Sequence, residues 1–194
     1  KAVSRGCTTA ILELTSEGAR QFRHRGISLD ALVFTNLAPE HIESHGSFEK
    51  YADAKFEIGK QLVRSKKRPR IMVANGDDAQ GVRYIKLPVE KTLPFTLETA
   101  KPFDSNERGG FFTFEGTRID ILQPGEFSLK NALAAATLAR AFGISVETIA
   151  HGLARAEALH FRTIEIASRT LTVTSAAITA LRSEEHTLNS SHDQ

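Results

Sequence analysis

Short apolar, β-branched runs alternate with stretches of helical period along the first half of the chain. Residues 8–14 (TTAILEL) read as a buried strand, residues 16–22 as a short helix or turn, and residues 30–35 (DALVFT) as a second strand. Past residue 46 the period lengthens. Phe48, Tyr51, Ala52, Phe56, Gly59, Leu62 and Val63 fall on one helical face, with Ser47 as N-cap and an end near Arg64. Pro69 closes that region, and residues 70–75 (RIMVAN) form a third strand. Strand–helix–strand order predicts an α/β fold with a mostly parallel sheet flanked by helices.

From residue 81 to 122 the texture changes. Pro88, Pro94 and Pro102 punctuate short β-prone runs, which read as a small β-rich insertion. A turn at residues 106–110 (NERGG) precedes a hairpin of residues 111–114 and 117–122 around Glu115 and Gly116. Ser128 is expected to cap an Ala-rich helix that ends near Phe142, with Gly143 as its C′ residue. Ser145 is expected to cap another helix to about Ala154.

Composition narrows the function. The chain has 194 residues, room for one domain or one and a fragment. Its 25 basic and 23 acidic side chains leave a net charge of +2, without the basic surplus of a nucleic-acid binder. The single cysteine, Cys7, excludes a disulfide framework and a cysteine-rich zinc site. No apolar run approaches the roughly 20 residues that span a bilayer. No nucleic-acid or membrane partner is expected, and the protein reads as cytosolic and monomeric. The chain starts at Lys1 as if entered mid-sequence, and it reads as a piece of a longer protein. Residues 182–194 (RSEEHTLNSSHDQ) hold one aliphatic residue and no periodicity. Their first six match the translation of a sequencing-adapter sequence, so the segment is expected to be a disordered tail foreign to the fold.

The segment from Thr35 to Lys55, TNLAPEHIESHGSFEKYADAK, concentrates the candidate chemistry. A strand ends, a loop carries Glu40, His41, Glu43 and His45, and a helix then presents Lys55. Ligands of open α/β sheets sit beyond the carboxyl ends of the strands, where this loop must lie. His41 and His45 have the spacing of a zinc pair on a helix, but Gly46 and Ser47 favour a loop. Residues 60–70 hold six basic side chains; they attract phosphates or make a solvated helix end.

The pattern TNL-x-x-[DE]-H-x-x-x-H-G followed by Y-x-x-A-K resembles the central domain of the Mur ligases, in particular the branch that adds the third amino acid of the peptidoglycan stem. Three further segments carry the resemblance: residues 13–23 (ELTSEGARQFR), 74–78 (ANGDD) and 125–135 (GEFSLKNALAA). Together they cover about residues 10–153. The resemblance implies a P-loop-NTPase-like domain over residues 1–158. Residues 159–181 would begin a C-terminal domain.

The activity it implies is ATP-dependent amide-bond formation. A carboxylate of UDP-MurNAc-L-Ala-D-Glu is activated as an acyl phosphate and displaced by the amine of L-lysine or meso-diaminopimelate. ATP is the co-substrate and Mg²⁺ the metal, since charge crowds between the phosphates and the acceptor oxygen. By position, Glu13, His41 and Lys55 are implied as metal-binding, with Lys55 carbamylated by CO₂. Carbamylation turns a cation into an oxygen anion but needs the neutral amine, which is under about 0.1% of an ordinary lysine at pH 7. Thr15, Gln21 and Arg23 are implied to hold the UDP-MurNAc-dipeptide, and Asn75 and Asn131 to lie near the nucleotide. For Arg23, His24 and Arg25 the residues alone also allow a solvated basic turn. Asn131 alone reads equally as a helix-start residue bonded to local backbone.

The chain departs from the family pattern at Glu40, Glu43, Ser44 and Glu17, and at residues 159–165 (LHFRTIE). It contains no G-x-x-G-K-[ST] loop, so the isolated chain is expected to be inactive. The competing readings are a folylpolyglutamate- or cyanophycin-type ligase of the same superfamily, and a non-catalytic nucleotide- or partner-binding domain.

Overall fold

Three parallel strands frame the unit Glu13–Thr99: β1 (Ala31–Phe34), β2 (Ile71–Asn75) and β3 (Lys91–Phe95), in that order across the sheet. They belong to a computed structural model that describes residues 6–38 and 46–156, and the backbone of three strands beyond. Val33 pairs with Val73, and Val73 with Leu93. Every residue of β1 and β2 is buried, which explains their unbroken apolar runs: a parallel sheet covered on both faces leaves no polar side.

Helix α1 (Ser16–Arg20) packs on α2 (Phe48–Arg64), which packs on β1; α3 (Gly81–Ile85) packs on β2 and β3. The Ser47 side chain accepts a bond from the Lys50 amide at 3.2 Å, as its N-cap role requires. Tyr51, Ala52, Lys55, Ile58, Gly59 and Leu62 form the buried stripe of α2. Phe34 stacks on Tyr84 at 4.2 Å, and Phe56 meets the same ring edge-on at 5.2 Å, joining β1, α2 and α3. Burial pushes the Tyr84 phenol well above its ordinary pKa. The amino ends of β2 and β3 are tied by a two-pronged ion pair: Arg70 Nε and Nη2 donate to Glu90 at 2.9 and 2.6 Å. That donation holds the Glu90 carboxyl down at about 2.

The other unit takes residues 6–12 and runs on from Ala100. β4 (Asp104–Asn106), β5 (Gly109–Phe114) and β6 (Thr117–Ile121) form an antiparallel sheet. Glu115 and Gly116 both have positive φ, +46° and +79°, the signature of a type I′ hairpin turn. Helix α4 (Glu126–Ala141) packs on β5, and α5 (Val146–Ala154) on α4 and β6. Strands β7 (Thr163–Ile166), β8 (Arg169–Thr172) and β9 (Leu181–Ser183) make a second antiparallel sheet. Of the tail expected from Arg182, only the first two residues are described, as β9 backbone. Among the described residues no helix is long and apolar enough to cross a membrane.

The α/β architecture expected from the sequence is present, with four local corrections. Residues 8–14 are not a strand: Leu12 and Glu13 are exposed, and among the described residues the run has no ladder partner. Residues 91–95 are not part of an insertion but the third parallel strand, so the antiparallel sheet starts only at Asp104. Pro94 obscured this, since proline disfavours strands except at edges. Gly125 rather than Ser128 is the N-cap of α4; the Ser128 hydroxyl donates back to the Pro124 carbonyl at 2.8 Å. His24 is not in a solvated turn but buried.

Candidate functional site

The carboxyl ends of the three parallel strands are knotted by the segment Asn75–Asp78. Asn75 is buried, and its Nδ2 donates to the Thr35 carbonyl at the end of β1 at 2.7 Å. Its Oδ1 accepts from the Asp77 amide at 2.9 Å. Asp77 Oδ2 accepts from the Leu97 amide beyond β3 at 3.0 Å, and Asp78 Oδ2 from the Leu37 amide beyond β1 at 2.9 Å. Asp78 Oδ1 takes the Gln80 amide at 2.8 Å and so directs the chain into α3. A Cβ at Gly81 would lie 1.9 Å from the Asn75 carbonyl oxygen, so only glycine lets α3 start there. Asn75 thus keeps one N–H and one lone pair for a ligand. Asp77, Asp78 and Gly81 were not singled out as site residues from the sequence. The Asx pattern N-x-D-D, whose side chains bond backbone amides two residues on, was the available signal.

Lys55 lies on the buried stripe of α2, only 7% exposed, with its Nζ 5.2 Å from the centre of the Tyr51 ring one turn earlier. Against α2 packs α1, whose N-cap is Thr15; its Oγ1 accepts from the Gly18 amide at 3.0 Å. The sequence ELTSEG fits this start: a threonine cap followed by a glutamate in the first turn.

The end of α1 is a tight reversal. Phe22 N–H bonds the Ala19 carbonyl at 3.0 Å and Arg23 N–H the Gly18 carbonyl at 2.9 Å, the paired bonds of a Schellman motif. Its C′ residue is Phe22, at φ +58°, where glycine is usual. A side chain in this region costs about 1–2 kcal/mol. Gln21 Nε2 donates to Glu17 Oε1 at 3.0 Å, and Arg23 is exposed. His24 turns inward, 3% exposed, with Nδ1 lacking a hydrogen-bond partner. Burial, then the charge of Arg25, lowers its pKa below the ordinary imidazole value; Glu57 opposes the shift.

The described structure thus gathers Thr15, Gln21, Arg23 and Lys55 on the packed pair α1–α2, and Asn75 on the strand knot of the same unit. Glu13 is exposed just before α1. His41, Glu40, Glu43 and His45 lie outside the described residues. Among the described residues no three His, Cys, Asp or Glu side chains cluster as a metal site. An oxygen set of Glu13 and a carbamate on Lys55 matches magnesium's preference for oxygen ligands. Asn131, in the other unit, sits inside α4 with its Oδ1 buried and unpartnered. Such an acceptor costs about 1–3 kcal/mol and suits a ligand's amino group, as adenine carries.

The Mur ligase middle domain matches residues 1–139. The UDP-N-acetylmuramoyl-L-alanyl-D-glutamate–2,6-diaminopimelate ligases of Halalkalibacterium halodurans and Gloeobacter violaceus are 29% and 33% identical over 157 and 162 residues. These stretches are 76% and 78% of this chain and 32% of each relative. The chain therefore spans about a third of the length of the curated relatives it matches. Among solved structures, the UDP-N-acetylmuramoylalanyl-D-glutamyl-2,6-diaminopimelate–D-alanyl-D-alanyl ligase of Acinetobacter baumannii superposes with a TM-score of 0.58 at 19% identity. It covers 77% of this chain and 34% of that one. The pseudomurein peptide ligase type C of Methanothermus fervidus gives 0.54 at 18%, covering 82% and 40%. At such identities the two superpositions speak for the fold alone. The match of the Mur ligase middle domain over residues 1–139, more than half of the chain, makes it a member of the Mur ligase family, a stretch of that middle domain.

Proposed function

We propose that the protein carrying this chain is an ATP-dependent ligase of peptidoglycan precursor synthesis, joining 2,6-diaminopimelate to UDP-MurNAc-L-Ala-D-Glu. The observation that carries the reading is the buried Lys55 on α2, with the α1 turn packed beside it. Lys55 closes the Y-x-x-A-K segment of the family pattern, and its place on the buried stripe fits that position. The names of the relatives, all at 28–33% identity, support the third amino acid.

In this reading the neutral Lys55 amine adds to CO₂, forming an N–C bond and releasing one proton; by motif position Glu13, His41 and the carbamate would hold Mg²⁺. Bound Mg²⁺ would neutralise charge between the nucleotide phosphates and the acceptor carboxylate as the acyl phosphate forms. Arg23 offers a planar fork to an acceptor anion, and Thr15 and Gln21 flank it on α1. By motif position Asn75 and Asn131 would each lie near the nucleotide.

The test is ATP-dependent ligation by the full-length protein, followed by phosphate release and product mass. The expected result is one diaminopimelate added per ATP consumed. Activity on folate or on arginine–aspartate acceptors, and none on UDP-MurNAc-L-Ala-D-Glu, would sink the reading.

A further inference from the structure

The turn after α1 contains a second arginine that the proposed chemistry has not used. We propose that Arg25 is a further anion-binding residue, held in place by the Phe22 ring, and that with Arg23 it grips carboxylate or phosphate groups of the acidic acceptor. This rests on the reading of Gln21 and Arg23 as acceptor-binding residues.

Phe22 occupies a left-handed C′ position that glycine would fill without strain, and its ring is 54% exposed. Core packing therefore does not account for a phenylalanine there. What the ring does touch is Arg25: the guanidinium carbon lies 3.8 Å from the ring centre. That stacking restrains a long, otherwise mobile side chain at the surface.

The two arginines also differ from the other arginines of their unit. Arg68, Arg70 and Arg83 each reach a carboxylate, at 3.2, 2.6 and 2.7 Å. Among the described residues neither Arg23 nor Arg25 has an acidic partner. Between them His24 points inward and is buried, which anchors the turn and leaves Arg23 and Arg25 exposed. The charges that bear on the imidazole are Arg25, Glu57 and Arg64; the first and last disfavour a further proton. The result is two uncompensated guanidinium groups on one turn, one of them restrained by stacking, chemistry that suits an anion.

The experiment measures KM for UDP-MurNAc-L-Ala-D-Glu in the full-length protein. Arg25→Gln should raise KM about tenfold, the usual scale for loss of one charge-assisted hydrogen bond, with kcat much less affected. Phe22→Gly should raise KM by about threefold while the melting temperature holds or rises, which separates positioning from folding. Phe22→Gly combined with Arg25→Gln should be no worse than Arg25→Gln alone, because the ring acts only through the arginine. UDP and MurNAc-L-Ala-D-Glu, each tested as a competitor, identify whether phosphate or carboxylate is the anion gripped: the one whose inhibition weakens in Arg25→Gln. An unchanged KM in Arg25→Gln alongside a raised KM in Arg23→Gln overturns the proposal alone. Unchanged KM in both overturns the acceptor reading of the turn as well.

Discussion

The strand knot at Asn75–Asp78 and the turn at the end of α1 belong to the same unit and treat polar groups in opposite ways. In the knot each side chain is used on backbone: the Asn75 amide, Asp77 and Asp78 close the loops after β1, β2 and β3. In the turn, strain is retained at Phe22, a buried imidazole nitrogen has no partner, and two arginines stand without acids. The difference separates residues that hold the scaffold from residues held in readiness. Substitutions in the knot should lower stability whatever ligand is present, whereas those on α1–α2 should change turnover or affinity more than stability.

The largest effect is expected on the α1–α2 side. Lys55→Arg in the full-length protein should cut turnover by about 10²–10³, the loss of one preorganised charge at the acyl phosphate, roughly 3–4 kcal/mol. A guanidinium stays cationic and takes up no CO₂. Near-normal turnover in steady-state assays would remove Lys55 from the chemistry. Lys55→Ala should instead regain part of its rate when a short carboxylic acid is added.

Next comes the knot. Gly81→Ala drives a methyl into the Asn75 carbonyl oxygen and should destabilise the domain by about 3 kcal/mol, the upper range of an overpacked site. Urea denaturation reads it directly; an unchanged midpoint would mean that α3 shifts freely and that the knot is loose. Asn75→Ala leaves the buried Thr35 carbonyl without its donor and should cost about 2 kcal/mol. If ATP affinity falls in this variant while the midpoint holds, the ligand role of Asn75 outweighs its structural one.

The smallest effect is a pH dependence in the turn. The folded-state pKa of His24 lies below that of the unfolded chain, near 6.5. Below that value the unfolded state takes up a proton that the folded state refuses, so stability should fall as pH drops under about 6.5. His24→Leu should flatten that slope in melting curves recorded between pH 7 and pH 5. An identical slope in the variant would assign it to other groups.

Much of this was legible in the sequence because local and long-range signals agree there. Ser47 caps α2 as its position promised, and the unbroken runs of β1 and β2 are buried on both faces. The failures have one cause, the weakness of local cues against tertiary context. Residues 8–14 have strand composition but no ladder partner, and residues 91–95 have a proline but do have one. Nothing in the order Arg-His-Arg announces that only the middle side chain turns inward; that follows from the Schellman reversal. For the site, the motifs name Thr15, Gln21, Arg23 and Lys55, which lie on or beside the packed pair α1–α2. They gave no hint that Asn75 bonds backbone through both ends of its amide, since spacing carries no hydrogen-bond count.

Pro94 on β3 bears on how the sheet can grow. The Lys91 amide and the Phe95 carbonyl both face β2, bonding Arg70 and Gly76 at 3.1 and 2.8 Å, so residue 94 faces the far side. There a neighbouring strand would look for an N–H and find a ring. Among the described residues no strand pairs with the outer edge of β3, and the proline makes that edge a poor template for another chain. A Pro94→Val protein would keep its ladder to β2 and regain an adhesive margin.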